Sequence, residues 1–218
     1  MSMRSTPPFR ADHVGSLLRT PDVLRAREEF AKGRITAEEK RRIEDEGVRQ
    51  VVKMQEDIGL QGVTDGEYRR ASWHMDFIYR IGGITKVQDN LTVQFHNEKG
   101  DIEFTPAASR VTGKLTFAET IFADDFSFLK SVTTRTPKLT IPSPSMVHYR
   151  GGRAAIDAGV YPALEEFWHD LTEVYARQIE ELGKLGCTYL QLDDTSLAYL
   201  NDPGQRTYVN QIGGDGEH

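Results

Sequence analysis

Three short apolar runs in this chain end in groups able to bind a ligand or move a proton. Residues 188–192 lead into Asp193 and Asp194, residues 60–64 into Asp65 and Glu67, and residues 9–14 into Gly15 and Ser16. A carboxylate at the end of an apolar run is poorly placed for packing, because burying it without a partner is costly. In a sheet of parallel strands, ligands gather at the carboxyl ends of the strands, so these acids are candidates for a pocket. Asp65 and Glu67 stand two residues apart, which suits either a general acid/base pair or a hydrogen-bonded turn. Gly15 lets the backbone approach a ligand closely, and Ser16 adds an amide and a hydroxyl, a combination suited to a carboxylate.

Other groups are less specific. Arg110, after Ser109, suits either an anionic part of a substrate or a surface ion pair. His148 suits an acid, a hydrogen-bond donor or a purely structural role. The pair Arg69 and Arg70 reads as a local counter-charge. Cys187 has no basic neighbour in sequence and reads as a small buried residue, not a thiolate.

These groups need a scaffold, and the periodicity supplies one. Pro21 opens a helix to about residue 32, which Gly33 ends. Thr36 and Glu39 form a capping box for a helix over 37–58, with Gly59 as its stop. Leu164, Phe167, Trp168, Leu171, Val174, Tyr175, Leu182 and Leu185 recur at helical spacing, which predicts a core-facing helix over 162–185. Strands are expected at 9–14, 62–64, 138–141 and 188–192, alternating with helices as in right-handed βα units. Residues 84–130 break the rhythm: β-rich stretches flank Asn97-Glu-Lys-Gly-Asp101, which predicts a hairpin over 84–110 inserted after the second strand. The fold class expected is α/β of the TIM (β/α)8 barrel type, limited to the first four βα units, as one partial domain over 1–218. The Gly-rich tail 213–218 offers no further strand, and the open sheet edges point to a homo-oligomer that covers them.

Of the 218 residues, 38% are hydrophobic and 28% charged, enough for a globular domain with a core. The net charge of -6, without a cluster of Lys and Arg, argues against a nucleic-acid partner and for small-molecule substrates. A single cysteine excludes an internal disulfide and fits a reducing compartment. Residues 1–10 carry no signal-peptide core, and no apolar run nears the ~20 residues of a membrane span. A cytoplasmic protein with no membrane partner is expected.

His13-Val-Gly-Ser-Leu-Leu-Arg19, Asp65-Gly-Glu67 and Gln191-Leu-Asp-Asp194, in this order and at these strand ends, resemble the catalytic barrel of the cobalamin-independent methionine synthase family, including its short single-barrel bacterial members. The resemblance spans nearly the whole chain and implies a methyltransferase of methionine biosynthesis. In that family a zinc ion binds the homocysteine thiol as a thiolate, which then attacks the methyl group of a methylated folate. By motif, Val14, Gly15 and Ser16 would hold the homocysteine carboxylate, and Glu67 and Asp193 its ammonium. Arg110 lies in a Ser-Arg element like the family's and would face the pterin or the glutamate tail of the folate, with Tyr149 as an aromatic platform. Tyr199 stands where the longer members carry an acid that contacts folate, which leaves another methyl donor open.

The family's zinc ligands, a His-x-Cys pair, a Glu and a later Cys, lie in the second half of the barrel together with its catalytic His. None has a counterpart in this chain, so no metal ligand and no catalytic residue is assigned, and the chain, apparently truncated, is expected to be inactive alone. Two further readings follow from the residues. One is a non-catalytic or dimerised half-barrel that binds an amino acid. The other is a metal-free barrel lyase or hydrolase that uses Glu67 and Asp193 as acid and base.

Overall fold

A computed structural model describes residues 6–87, 93–97, 100–104, 108–149, 151–211 and 213–215. In chain order its elements are α1 (Pro21–Ala31), α2 (Ala37–Asp57), β1 (Gly62–Val63), α3 (Met75–Ile78), β2 (Gly82–Val87), β3 (Val93–Asn97), β4 (Gly100–Phe104), β5 (Ala108–Thr116), α4 (Ala123–Val132), β6 (Thr136–Pro137), β7 (Leu139–Pro142), α5 (Ser145–His148), α6 (Leu164–Lys184), β8 (Leu190–Asp193), α7 (Ser196–Tyr199) and α8 (Pro203–Gln211), with a 3-10 turn at Gly152–Ala155. They fall into two compact units. One comprises Met1–Trp73, Thr120–Ile141 and Ile179–Asp193, the other His74–Glu119, Pro142–Gln178 and Asp194–His218.

The first unit is built from helices and short parallel strands. α1 starts as expected: Thr20 caps it by accepting from the Val23 amide, and Pro21 occupies the first turn. At α2 both bonds of the capping box form, the Glu39 amide to Thr36 Oγ1 at 3.1 Å and the Thr36 amide to Glu39 Oε2 at 2.8 Å. The apolar face of α2, Val48, Val51 and Val52, packs with Val23, Val63, Tyr68 and Leu129 into one buried cluster. Each such side chain contributes about 1.5–3 kcal/mol through the area it removes from water.

β1 pairs in parallel with β6, Gly62 opposite Thr136 and Val63 opposite Pro137. The same segment continues into β7, which pairs with β8. All four residues of β7 are buried, the pattern of a strand covered on both faces. The strand expected at 188–192 forms at Leu190–Asp193, so Asp193 is its last residue.

No strand forms over 9–14, contrary to expectation; the segment makes only an isolated parallel bridge, Ser16 to Gly66. Side chains take carbonyls at its end: the Lys138 ammonium donates to the His13 carbonyl, and just beyond it Thr64 Oγ1 donates to the Gly15 carbonyl at 2.6 Å, so these groups are not offered to a sheet ladder. α4 has no counterpart in the sequence reading either. It is entered through Phe122 in the left-handed region, φ 65°, and no side chain caps it, so of the local start signals only the first-turn acids Asp124 and Asp125 are present.

In the second unit β2 and β5 pair antiparallel, from Ile84 opposite Val111 to Val87 opposite Ala108. Nested inside them, β3 and β4 pair from Val93–Phe104 to Asn97–Gly100. The two ribbons fall within 82–116, wider than the 84–110 expected; residues 88–92 and 105–107 of that stretch, and 98–99 of the anticipated turn, lie outside the described residues. Residues 1–5 and 216–218, on which the readings of the amino-terminus and the tail partly rest, also lie outside them.

Phe167, Leu171, Val174, Tyr175 and Leu182 of α6 are buried, as their spacing predicts, but Trp168, read as part of the same stripe, is 37% exposed because it lies at the edge of the buried face. The Tyr161 hydroxyl accepts from the Leu115 amide and donates to Asp170 Oδ2, both at 2.7 Å. Among the described residues no helix is long and apolar enough to cross a membrane.

Candidate functional site

The loop after β1 shapes the candidate site. Gly66 and Glu67 both adopt left-handed backbone, φ 67° and 58°. For Glu67 this geometry is strained and persists only because neighbours fix it. Asp65 Oδ1 accepts from the Glu67 amide at 2.9 Å, and the Arg19 guanidinium donates to the carbonyls of Glu67, Tyr68 and Arg70 at 3.0, 3.3 and 2.7 Å. Arg19 is thus a clamp on the loop, thrown across from the segment that carries Gly15 and Ser16.

The loop presents the Glu67 carboxyl inside the unit, where it is 5% exposed. Thr140 Oγ1 donates to Glu67 Oε1 at 2.8 Å, and Arg70 Nη1 lies 3.4 Å from the same oxygen. Gly15 faces this pair: a Cβ there would stand 2.7 Å from Thr140 Cγ2 and 3.2 Å from Glu67 Oε1, so only glycine fits without rearrangement. Ser16 is bridged to Gly66 and its side chain is exposed; Val14, on the same segment, is 63% exposed.

Asp193, half-buried at the end of β8, acts on Glu67 through space. Burial pushes the Glu67 carboxyl above its ordinary range, against the opposing pull of Arg70 and of the Thr140 hydrogen bond, and the charges of Asp65 and Asp193 add to the upward push. Burial likewise raises Asp193, opposed by its hydrogen bond from Gln191 and by the charges of Arg70 and Lys138. The first unit therefore places Gly15 beside the Glu67 carboxyl and pairs Ser16 with Gly66, while Asp193 acts on Glu67 by its charge. As read from the sequence, Arg69 and Arg70 are counter-charges: Arg69 pairs with Asp45 at 2.5 Å and Arg70 with Glu67.

Arg110 and Tyr149 belong to the second unit. Arg110 is exposed on β5, and its guanidinium donates to the Ala154 carbonyl at 3.2 Å. Tyr149 stacks on Tyr199 with ring centroids 5.5 Å apart, and its hydroxyl donates to Gln205 Oε1 at 3.0 Å. Burial lowers the His148 pKa, and its ring rests 5.1 Å from that of Trp168. Asp194, in the same unit, is held below its ordinary range by hydrogen bonds from Ser196 and Ser145 that outweigh the upward effect of burial. It accepts the Ser196 amide at 3.1 Å, a turn-capping role.

Sequence reasoning missed Arg19, Arg70 and Thr140 as parts of the site. Arg19 closes the motif beginning at His13, and a threonine among the apolar residues of β7 was the one local sign of Thr140. Among the described residues, no group of three or more His, Cys, Asp or Glu side chains could hold a metal ion. Zinc therefore has no ligand set among them, and burial raises the Cys187 thiol, the reverse of what a thiolate ligand needs.

Residues 9–201 match the family model described as the catalytic domain of cobalamin-independent synthase. The chain belongs to this family. The YxjH protein of Bacillus subtilis (strain 168), itself uncharacterized, is 44% identical over 212 residues, which cover 96% of this chain and 54% of that protein. A solved Listeria monocytogenes protein proposed to be a vitamin-B12 independent methionine synthase superposes with a TM-score of 0.75 at 37% identity, covering 96% of this chain and 61% of its own. More distant is a 5-methyltetrahydropteroyltriglutamate–homocysteine methyltransferase of Thermotoga maritima, 22% identical over 189 residues and matched over 24% of its length. The chain spans about half the length of the most similar curated relatives it matches.

Proposed function

We propose that this chain supplies the amino-acid-binding part of a methyltransferase of the cobalamin-independent methionine synthase type, with homocysteine as the methyl acceptor and a methylated folate or similar donor as co-substrate. In this reading the chain is the first four βα units of a (β/α)8 barrel, with the ribbons of 82–116 inserted after the second strand, and it works in the cytoplasm. The observation that carries it is the Glu67 carboxyl beside the Gly15 backbone, with the charge of Asp193 acting on it. Two acids coupled in this way match an ammonium, and an exposed serine next to a glycine matches a carboxylate, so an α-amino acid is the ligand that suits both groups. Glu67 and Asp193 hold the amine, Ser16 and the flanking backbone hold the carboxylate, and Arg19 keeps the loop in register. Zinc, where such an enzyme binds it, would lower the pKa of the acceptor's thiol so that it reacts as a thiolate; no residue among those described takes that part, so activation of the thiol is not assigned to this chain. Arg110 and Tyr149 are proposed for the folate side.

The raised pKa of both Glu67 and Asp193 favours a second reading, an acid/base pair in a metal-free hydrolase. Calorimetric titration with L-homocysteine and with 4-mercaptobutyrate, which lacks the ammonium, separates the two. Loss of a charge-assisted contact of about 1.5–3 kcal/mol weakens binding at least about tenfold for the analogue. Equal affinity for the two compounds overturns the amino-acid reading. Hydrolysis of nitrophenyl glycosides that disappears in Glu67→Gln establishes the second.

A further inference from the structure

Glu67, Thr140 and Arg70 form a chain of contacts that is buried throughout; the three residues are 5%, 2% and 4% exposed. Arg70 Nη1 donates to Thr140 Oγ1 at 3.2 Å and Nη2 to the Thr140 carbonyl at 2.8 Å. A guanidinium has donors only, so the threonine oxygen must accept from it, and the single hydroxyl proton is left to point at Glu67 Oε1. The guanidinium is itself held in place, its centre 4.2 Å from the ring centroid of Phe122. Both the Thr140 bond and the Arg70 ion pair fall on Oε1.

We propose that Arg70 and Thr140 are positioning residues for Glu67: the guanidinium fixes the threonine hydroxyl as a donor to Oε1, and Oε2 is left for the ammonium of the ligand. This role rests on the reading of Glu67 as an amino-group ligand. It also explains how an acid with left-handed backbone and a buried carboxyl remains usable, since a ligand ammonium binds only the ionised form. The charged groups around this carboxyl are Asp65 and Arg70 on its own loop, Asp193 at the end of β8 and Arg19 on the preceding segment. Of these, Arg70 opposes the upward effect of burial, and the Thr140 bond assists it.

The test uses Thr140→Val, which keeps the shape and removes the donor, and Thr140→Ser, which keeps the donor. Carbon-13 NMR follows the Glu67 carboxyl, assigned by its absence in Glu67→Gln. The expected result is a midpoint about one pH unit higher in Thr140→Val, the equivalent of a lost hydrogen bond to a charged group, and a midpoint near wild type in Thr140→Ser. The acid limb of homocysteine affinity moves upward by the same amount. Arg70→Lys keeps the charge but loses the two-pronged hold on Thr140, and its midpoint moves in the same direction by less; it serves if Thr140→Val does not fold. Unchanged midpoints in Thr140→Val or Arg70→Lys, or a serine variant displaced as far as the valine one, overturn the positioning role. A wild-type chain that binds no homocysteine overturns the ligand assignment and the role with it, whatever the carboxyl titration shows. Homocysteine binding with the same acid limb in every variant overturns the positioning role alone.

Discussion

Gly15→Ala is the smallest change that should reach the whole site. The backbone of Gly15 lies outside the left-handed region, so alanine is conformationally acceptable there and by itself would gain about 0.4–1 kcal/mol from a stiffer unfolded chain. The new methyl, however, would stand 2.7 Å from Thr140 Cγ2 and 3.2 Å from both Thr140 Oγ1 and Glu67 Oε1. Thr140 cannot turn away cheaply, because its hydroxyl is committed to Glu67 and Arg70. Overpacking costs about 1–3 kcal/mol, and losing the threonine bond to the carboxylate costs about 1.5–3 kcal/mol more if the side chain rotates. Net of the backbone gain, destabilisation of about 2–4 kcal/mol is expected.

The cause can be isolated. Thr140→Ser removes the methyl that the added Cβ would strike and keeps the hydroxyl; alone it costs about 1 kcal/mol for the lost buried methyl. In the double variant the clash with Cγ2 is gone, so the two changes should be less than additive by about 2 kcal/mol. Urea unfolding of the four proteins at neutral pH measures this coupling directly. Additive losses, with the double variant as unstable as the two singles summed, would refute the claim that the Thr140 methyl is what demands glycine at position 15.

Two other outcomes follow from pairs in which one partner is buried. Asp12 accepts the Lys138 ammonium at 2.9 Å and the Tyr189 hydroxyl at 2.5 Å, and the lysine side chain is fully buried, so Asp12→Asn should cost about 2–4 kcal/mol in urea unfolding at neutral pH. Burial works against ionised Asp12, yet the bonds from Tyr189 and Lys138 hold its pKa below the ordinary range; its contribution is therefore present above about pH 4 and lost as the pH falls through the folded value, and this acid-side loss should be absent in the variant. Tyr161→Phe leaves the Leu115 amide without its acceptor and should cost about 1–3 kcal/mol by the same assay. Burial pushes Tyr161 up to about 12, so the wild-type stability it carries is complete below about pH 10 and lost between there and about 12, and ultraviolet titration should show it ionising after exposed tyrosines.

What the sequence by itself determined was whatever depends on neighbours along the chain. The capping box of Thr36 and Glu39, the stop at Gly33 and the buried stripe of α6 are contacts or periodicities within a few residues, and local spacing sets them. The ends of the short strands were legible for the same reason, and so were Glu67 and Asp193 as acids that follow apolar runs. The tertiary structure decided the rest. No strand forms at 9–14, where Lys138, more than a hundred residues away, takes the His13 carbonyl that a ladder would use. α4 opens at Phe122 without a cap, so only the first-turn acids Asp124 and Asp125 marked its start in the local sequence. Glu67 is held by Thr140, 73 residues distant, and Arg70 reaches 70 residues to hold that threonine. Side chains so far apart meet only once the chain path is set, and burial, which then raises the Glu67 carboxyl, belongs to the folded unit and not to any stretch of sequence.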